Sequence, residues 1–368
     1  KGFSFGPDRG RFAPLLFTLW TVETEMTWTM PPETFRQDRI WMAFPREGET
    51  LGAETAAREA GYAAWTAVAH AIAEFEPVTM IVDPSEMARA KRMLGGGIEI
   101  VERVIDDFWL RDTGPTFVHD AAGNLAAVDW IFNGWGGGEW TSAAHDRGLG
   151  AFVAGLAGVP VVSSLLVNEG GGLHVDGEGT ILLTETVQLD PDRNPHADKG
   201  RVEAEMARTL GVEKAIWLPK GLARDYETFG TRGHVDIVAT FPSPGKVLLH
   251  SQPNPDHPDH RTMQDIRRLL SEATDAKGRR FEIIDVPAPE TLRDGHDFVD
   301  WSYINHLVVN DGVIACGFGE AKADAQARDI LAAAYPGRRV VTVDARELFA
   351  RGGGVHCITQ QQPARKAK

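Results

Sequence analysis

Residues 350–363 read ARGGGVHCITQQQP and set Cys357, one of 2 cysteines in the chain, behind a histidine and a run of glycines. Glycine gives up side-chain packing so that backbone can turn tightly or approach another group closely. The run presents a thiol at a crowded site, or it is a loop before a tail; the segment alone does not decide. Four further polar stretches stand at the ends of apolar strands: DDFWLRDTGP (106–115), NEGGG (168–172), RGHVDI (232–237) and SYINH (302–306). Loops held by a rigid scaffold are where catalytic groups concentrate. Arg111-Asp112 reads equally well as a surface ion pair, and Glu169 as a solvated loop residue. His234 and Asp236, two apart, share one face of an extended strand. The apolar IVATF that follows argues for their burial, which needs a reason. The other such pair, His174 and Asp176, flanks the DGEG turn of a hairpin, a position that favours a structural or solvent-facing role. Cys357 by itself is more often a small buried hydrophobe than a nucleophile.

Two His-x-Asp pairs and a His-Cys also suggest the two-histidine, one-carboxylate iron site of a metal-dependent oxygenase. Against that reading, the candidate ligands are too many and form no cluster of characteristic spacing. WGGG (135–138) and GGGI (95–98) lack the Lys-Ser/Thr of a phosphate-binding loop. What remains is a thiol, a histidine, two aspartates and a glutamate. Two carboxylates in one pocket repel each other unless a cation lies between them. A planar guanidinium is such a cation, and its N–H donors pair bidentately with carboxylates. A cysteine facing its central carbon is a nucleophile aimed at an electrophile, so the set points to chemistry on a guanidine or amidine.

The chain of 368 residues is 43% hydrophobic and 24% charged, ordinary for a globular protein. Its formal net charge of −14 argues against a nucleic-acid partner and is compatible with a small cationic substrate. Cys316 and Cys357 cannot build a disulfide framework and lack the spacing of a structural zinc site, which points to a reducing, cytoplasmic setting. No apolar run reaches the ~20 residues that span a bilayer. Residues 1–25 are expected to be an extension outside the fold, with Met26 the natural start. Residues 26–363 then form a single catalytic domain, followed by a basic tail over 364–368.

The elements that must hold these residues alternate. Helical patterns at 56–75, 199–211, 261–278 and 322–337 are each followed by a short strand, at 78–83, 214–219, 281–287 and 339–345. Strand pairs with polar turns, 116–130 and 172–185, lie between them. The repeating unit is strand–strand–helix–strand, and no linker divides the chain, so the fold class is α/β in one domain of several similar units.

DDFWLRDTGPTFV, EGGGLHVDGEGTILLTE, RNPH, GHVD, SYINH and GGGVHCITQQQP, in this order over about residues 30–363, closely resemble the agmatine deiminases, of the family shared with the bacterial peptidyl-arginine deiminase. TFRQDRIWMAFP (34–45) fits that family's start. The resemblance implies the pentein fold, a five-bladed α/β propeller of pseudo-fivefold ββαβ units, and suggests a homodimer. It implies Cys357 as nucleophile, His234 as general acid and then base, Asp112 and Asp236 gripping the guanidinium, and Glu169 orienting His234. No metal or organic cofactor is required. The implied reaction is hydrolysis of agmatine to N-carbamoylputrescine and ammonia through a covalent thiouronium. Alternatives are free or peptidyl arginine as substrate, or amidinotransfer to an amine. Trp109, Asp107 and Asp225 are candidates for the substrate's tail, and Gly354 for close backbone approach to the substrate. His356 is not expected to partner the cysteine, because adjacent strand residues face opposite sides. The chain departs from the family pattern in FGTR (229–232), in Ile237 and in Cys316.

Overall fold

The computed structural model describes residue 2 and residues 27–138, 141–295 and 297–366. The extension expected over residues 1–25, with Met26, lies outside the described residues apart from Gly2. Residues 364–366 are not a free tail: the Ala364 amide donates to the Arg36 carbonyl at 2.8 Å, and His119 Nε2 lies 2.9 Å from the Ala364 carbonyl.

Five of the sheets repeat one plan. In the first, Thr116–His119 pairs antiparallel with Leu125–Ile131, and the helix Leu149–Ala157 carries the chain over to the parallel strand Val161–Val167. Leu173–Val175, Thr180–Thr184, the helix Lys199–Leu210 and Lys214–Leu218 repeat it. So do Ala239–Ser243, Lys246–Ser251, the helix Asp259–Glu272 and Glu282–Pro287. Leu307–Val309, Gly312–Gly317, the helix Ala321–Ala334 and Arg339–Asp344 form the fourth. The last is assembled from distant parts of the chain: Thr359–Pro363 pairs antiparallel with Gln37–Ala43, and the helix Thr55–Ala73 leads to the parallel strand Val78–Val82. The unit read from the sequence is therefore the unit observed.

Local chemistry explains the elements. Val78–Val82 (VTMIV) is buried at every position and reads as a continuous apolar run rather than an alternating one, as a strand covered on both faces must. Helix Thr55–Ala73 buries Tyr62, Trp65, Val68, Ala69 and Ile72, one stripe at helical spacing. Helix Lys199–Leu210 starts where Asp198 accepts from the Arg201 amide and stops where Gly211 turns left-handed at φ 70°. Among the described residues no helix is long and apolar enough to cross a membrane.

Each of the five polar stretches singled out in the sequence falls in a junction between the last strand of one unit and the first strand of the next. Two details differ from expectation. Val235–Ile237 is a single 3₁₀ turn, not a strand, so spacing alone does not align His234 with Asp236. Residues 355–358 are also turn, the strand beginning at Thr359, so the alternation that would separate His356 from Cys357 does not apply.

Candidate active site

The junctions converge on Cys357, which is only 6% exposed. Its thiol lies 3.4 Å from Asp236 Oδ2, toward which it donates, and 3.2 Å from Asn305 Nδ2. Asn305 also accepts from the His356 amide through Oδ1 at 2.9 Å, so one side chain fixes both the sulfur and the turn that carries it. Cys316 donates to the Asn305 carbonyl at 3.0 Å and thereby stands behind that residue. Burial pushes the Cys316 thiol up to about 12, which keeps it a neutral donor.

His234 lies between two carboxylates. Its Nε2 is 3.3 Å from Glu169 Oε2, and its Nδ1 is 3.8 Å from Asp112 Oδ1. Burial works against the imidazolium, but Asp112 and Glu169 outweigh it and raise His234 to about 9. Glu169 is fully buried, and the Arg193 guanidinium, donating to its oxygens at 2.9 and 3.1 Å, overcomes that burial and holds it down at about 2. Asp112 accepts from the Gly171 amide at 3.0 Å and the Trp135 indole at 2.9 Å. Burial lifts Asp112 to about 6, the His234 cation pulling against it and the Asp236 and Glu169 charges adding to it. Asp236 behaves oppositely. Burial would raise it, but His356, whose Nδ1 is 2.8 Å from Asp236 Oδ2, brings it below its ordinary value. Burial, and then the Asp236 and Asp112 charges, push the Cys357 thiol well above its ordinary value.

Gly171 lies where these side chains approach one another. A side-chain carbon there would sit 2.5 Å from His234 Nδ1, 3.0 Å from Asp112 Oδ1 and 3.1 Å from Asp236 Oδ2. Both His234 Nδ1 and Asp236 Oδ1 are buried without a hydrogen-bond partner. An unpartnered nitrogen and an unpartnered carboxylate oxygen close to one another are complementary to a planar cation carrying N–H donors.

The expected residues thus come together, with exceptions among the binding candidates. Asp107 turns away: one oxygen accepts from the Thr50 hydroxyl at 2.7 Å and the other from the Phe108 amide at 2.8 Å. Asp225 accepts from the Thr231 amide and hydroxyl and from the Gly233 and His234 amides, so it shapes the His234 loop instead of offering a free carboxylate. Gly354 packs against Asn305, whose Oδ1 would be 2.5 Å from an added carbon; Gly353 is the glycine facing the thiol, with Cys357 Sγ and the Trp109 ring each 2.9 Å from such a carbon. Trp109 therefore does border the sulfur. The structure adds Asn305, Trp135, Arg193, Glu33 and His356. Asn305 and Arg193 stand in quoted motifs, SYINH and RNPH, and Trp135 in WGGG. Glu33, 2.7 Å from His356 Nε2, carries no local signal. His356, not expected to partner the cysteine, bridges Glu33 and Asp236 and helps hold the latter below its ordinary value. Among the described residues no group of three or more His, Cys, Asp or Glu side chains is placed to hold a metal ion.

Unit plan and junction site together describe an α/β protein with a cysteine, a histidine and carboxylates gathered at one buried site. Residues 29–363 match the Porphyromonas-type peptidyl-arginine deiminase family, and the chain belongs to it. A Streptomyces coelicolor protein named as a candidate agmatine deiminase is 53% identical over 341 residues, covering 92% of this chain and 99% of that one. The agmatine deiminase of Pseudomonas fluorescens is 39% identical, covering 91% of this chain and 95% of its own. The solved structure of the Enterococcus faecalis agmatine deiminase superposes with a TM-score of 0.86 at 32% identity, covering 92% of this chain and 97% of that one.

Proposed function

We propose that the chain hydrolyses the guanidine of agmatine to N-carbamoylputrescine and ammonia. The observation that carries this is the convergence of two aspartates, a histidine nitrogen without a hydrogen-bond partner and a thiol at the junctions. Asp112 and Asp236 take the guanidinium N–H groups, Asp236 Oδ1 being the acceptor that lacks a partner. The bound cation favours the thiolate of Cys357, which the acidic surroundings otherwise suppress. Sulfur attacks the central carbon to give a neutral tetrahedral adduct. The His234 imidazolium, oriented by Glu169, protonates one nitrogen, and ammonia leaves behind an S-alkylthiouronium. Neutral His234 then takes a proton from water as it adds to the same carbon. Collapse expels the thiolate and releases the ureido product.

The carboxylate pair selects guanidines as a class, and the homology favours agmatine among them, since relatives bearing that name cover nearly their whole lengths. The five ββαβ units support arrangement as the blades of a propeller around the junctions. A cytoplasmic setting fits the free buried cysteines, and a homodimer is the assembly proposed.

Ammonia release from agmatine, free arginine, a peptidyl-arginine and simple guanidines tests the assignment. The expected result is turnover of agmatine to a ureido product; no ureido product from any of them would remove the deiminase reading. Preferred turnover of arginine would reassign the substrate, and transfer to an added amine would mark an amidinotransferase.

A further inference from the structure

Asp236 is fully buried, and its two oxygens are used differently. Oδ2 lies 2.8 Å from His356 Nδ1 and 3.4 Å from the Cys357 thiol, whereas Oδ1 has no hydrogen-bond partner. Behind the His356 ring stands a second carboxylate: Nε2 lies 2.7 Å from Glu33 Oε1, and both side chains are buried. An imidazole with a carboxylate oxygen at each nitrogen satisfies both contacts only when both nitrogens carry a proton, which is the cationic form. Glu33 is held in place from two strands. Its carbonyl accepts from Gln37 Nε2 at 2.9 Å, and its Oε1 from Gln361 Nε2 at 3.4 Å. Burial would raise Glu33, but His356 and His174, the latter 3.8 Å from Oε2, bring it well below its ordinary value. Arg111 is the opposing charge: its Nη1 is 3.8 Å from Glu33 Oε1, and its Nε donates to the His356 carbonyl at 3.2 Å. Nearby His306 is kept neutral by burial, at about 4. Burial and then Arg111 work against the His356 imidazolium, but Glu33 and Asp236 prevail and raise it. Asp236 also feels the His234 cation and the Asp112 carboxylate.

We propose that Glu33 and His356 are positioning residues of the guanidine site: Glu33 keeps His356 an imidazolium, and that cation holds Asp236 ionised and oriented, with Oδ1 left for the substrate. The inference rests on the deiminase reading and deepens it. An aspartate buried without a cation would take up a proton in the empty site and lose the charge that grips the guanidinium. His356 supplies that charge before the substrate arrives. It acts through Asp236, and Glu33 acts through His356.

Nitrogen NMR of the histidine rings tests the charge directly, the His356 signals being those missing from His356→Gln. In the unaltered chain this ring is expected to stay doubly protonated at about pH 8, well above the ordinary histidine range. In Glu33→Gln it is expected to lose its proton at lower pH, and in Glu33→Asp, which keeps the carboxylate, to return toward the parent. Kinetics with agmatine tests the consequence. His356→Gln keeps a donor for Asp236 but no charge, so Asp236 adds its own ionisation to the acid limb of kcat/KM. That limb is expected to move up by about one pH unit or more, with a loss of about 10-fold or more below it, mainly through KM. Glu33→Gln is expected to shift the limb in the same direction by less. A neutral His356 ring at about pH 7 in the unaltered chain would overturn the proposal. So would losses in both variants that are equal at every pH, the mark of a merely structural role. Turnover of no guanidine by the unaltered chain would instead overturn the deiminase reading, while the ring spectrum still judges the imidazolium.

Discussion

The chain holds two His-x-Asp pairs, and they have come to different ends. His174 lies on the strand Leu173–Val175, turned toward the Phe241 amide at 3.3 Å and Glu33 at 3.8 Å. Asp176 closes the neighbouring turn by accepting from the Glu178 and Thr180 amides at 2.7 and 2.9 Å. His234 opens and Asp236 lies within a 3₁₀ turn at a junction between units, where Asp236 faces a thiol. Spacing is identical, burial is comparable, and even an open acceptor occurs in both, since Asp176 Oδ2 also lacks a partner. What separates them is company: one pair is held by backbone and by Glu33, the other by Glu169, Asp112, His356 and Cys357. Chemistry is set by what converges on a pair and not by the pair's own pattern.

Substitutions sharpen that contrast. Cys357→Ser, beside the second pair, is expected to reduce ureido product below detection in a protein that melts near the parent temperature. Cys316→Ser keeps a donor to the Asn305 carbonyl and most of the activity. Equal loss in both would show that the wrong thiol was assigned. Gly171→Ala comes next: the added carbon, 2.5 Å from His234 Nδ1 and 3.0 Å from Asp112 Oδ1, must push these groups out of place, so turnover disappears while the fold survives. Retained turnover would place the substrate elsewhere.

His234→Gln is expected to lower kcat by about 10²–10⁴-fold, the usual contribution of general acid–base catalysis, and His174→Gln far less. Similar losses from both would erase the distinction between the pairs. With pH, kcat/KM should rise through about 6 as Asp112 ionises and fall beyond about 9 as His234 loses its proton. An alkaline limb unchanged in its position by Glu169→Gln would contradict the electrostatic origin of that upper value. His234 also bears on stability. A histidine raised in the folded state stabilises below its unfolded value, and the gain is lost as pH rises through the folded one. The stability difference between the parent and His234→Gln should therefore be larger near about pH 6 than near about pH 10. Chemical denaturation at both pH values measures it, and an equal difference would refute the linkage. The smallest effect is expected from Asp176→Ala, which loses two caps and about 1–2 kcal/mol of stability without changing kcat.

Much of the scaffold could be read from residue patterns, because the crossover helices and the strands after them carry strong periodicity. The pattern at 199–211 is a helix over Lys199–Leu210, and that at 339–345 is a strand over Arg339–Asp344. The helix Leu149–Ala157 carries little local signal: it is short, and glycines at 150 and 155 weaken its periodicity. Gly150 is there because an added carbon would lie within contact of the Asp129 carboxylate. The candidate site was legible where charge or a motif marked it, as at Asp112, Glu169, His234 and Cys357. Asn305 and Trp135 are neutral, and their roles exist only once distant junctions meet. Glu33 reaches His356 across 323 residues, a separation no local pattern encodes.

The strand Thr359–Pro363 closes the unit begun by Gln37–Ala43, and the Trp41 indole donates to Gln362 across 321 residues. This closure has a kinetic meaning. Pairings between remote segments form late, because loop-closure entropy must be overcome before the contacts repay it. The thiol sits immediately before that strand, so the nucleophile cannot be seated until the first and last segments of the fold have found each other. A nascent chain emerging from the ribosome can complete its middle units while remaining inert toward guanidines. Activity then arrives in a single late step, and its recovery after dilution from denaturant reports the closure of that unit more directly than the recovery of helix content.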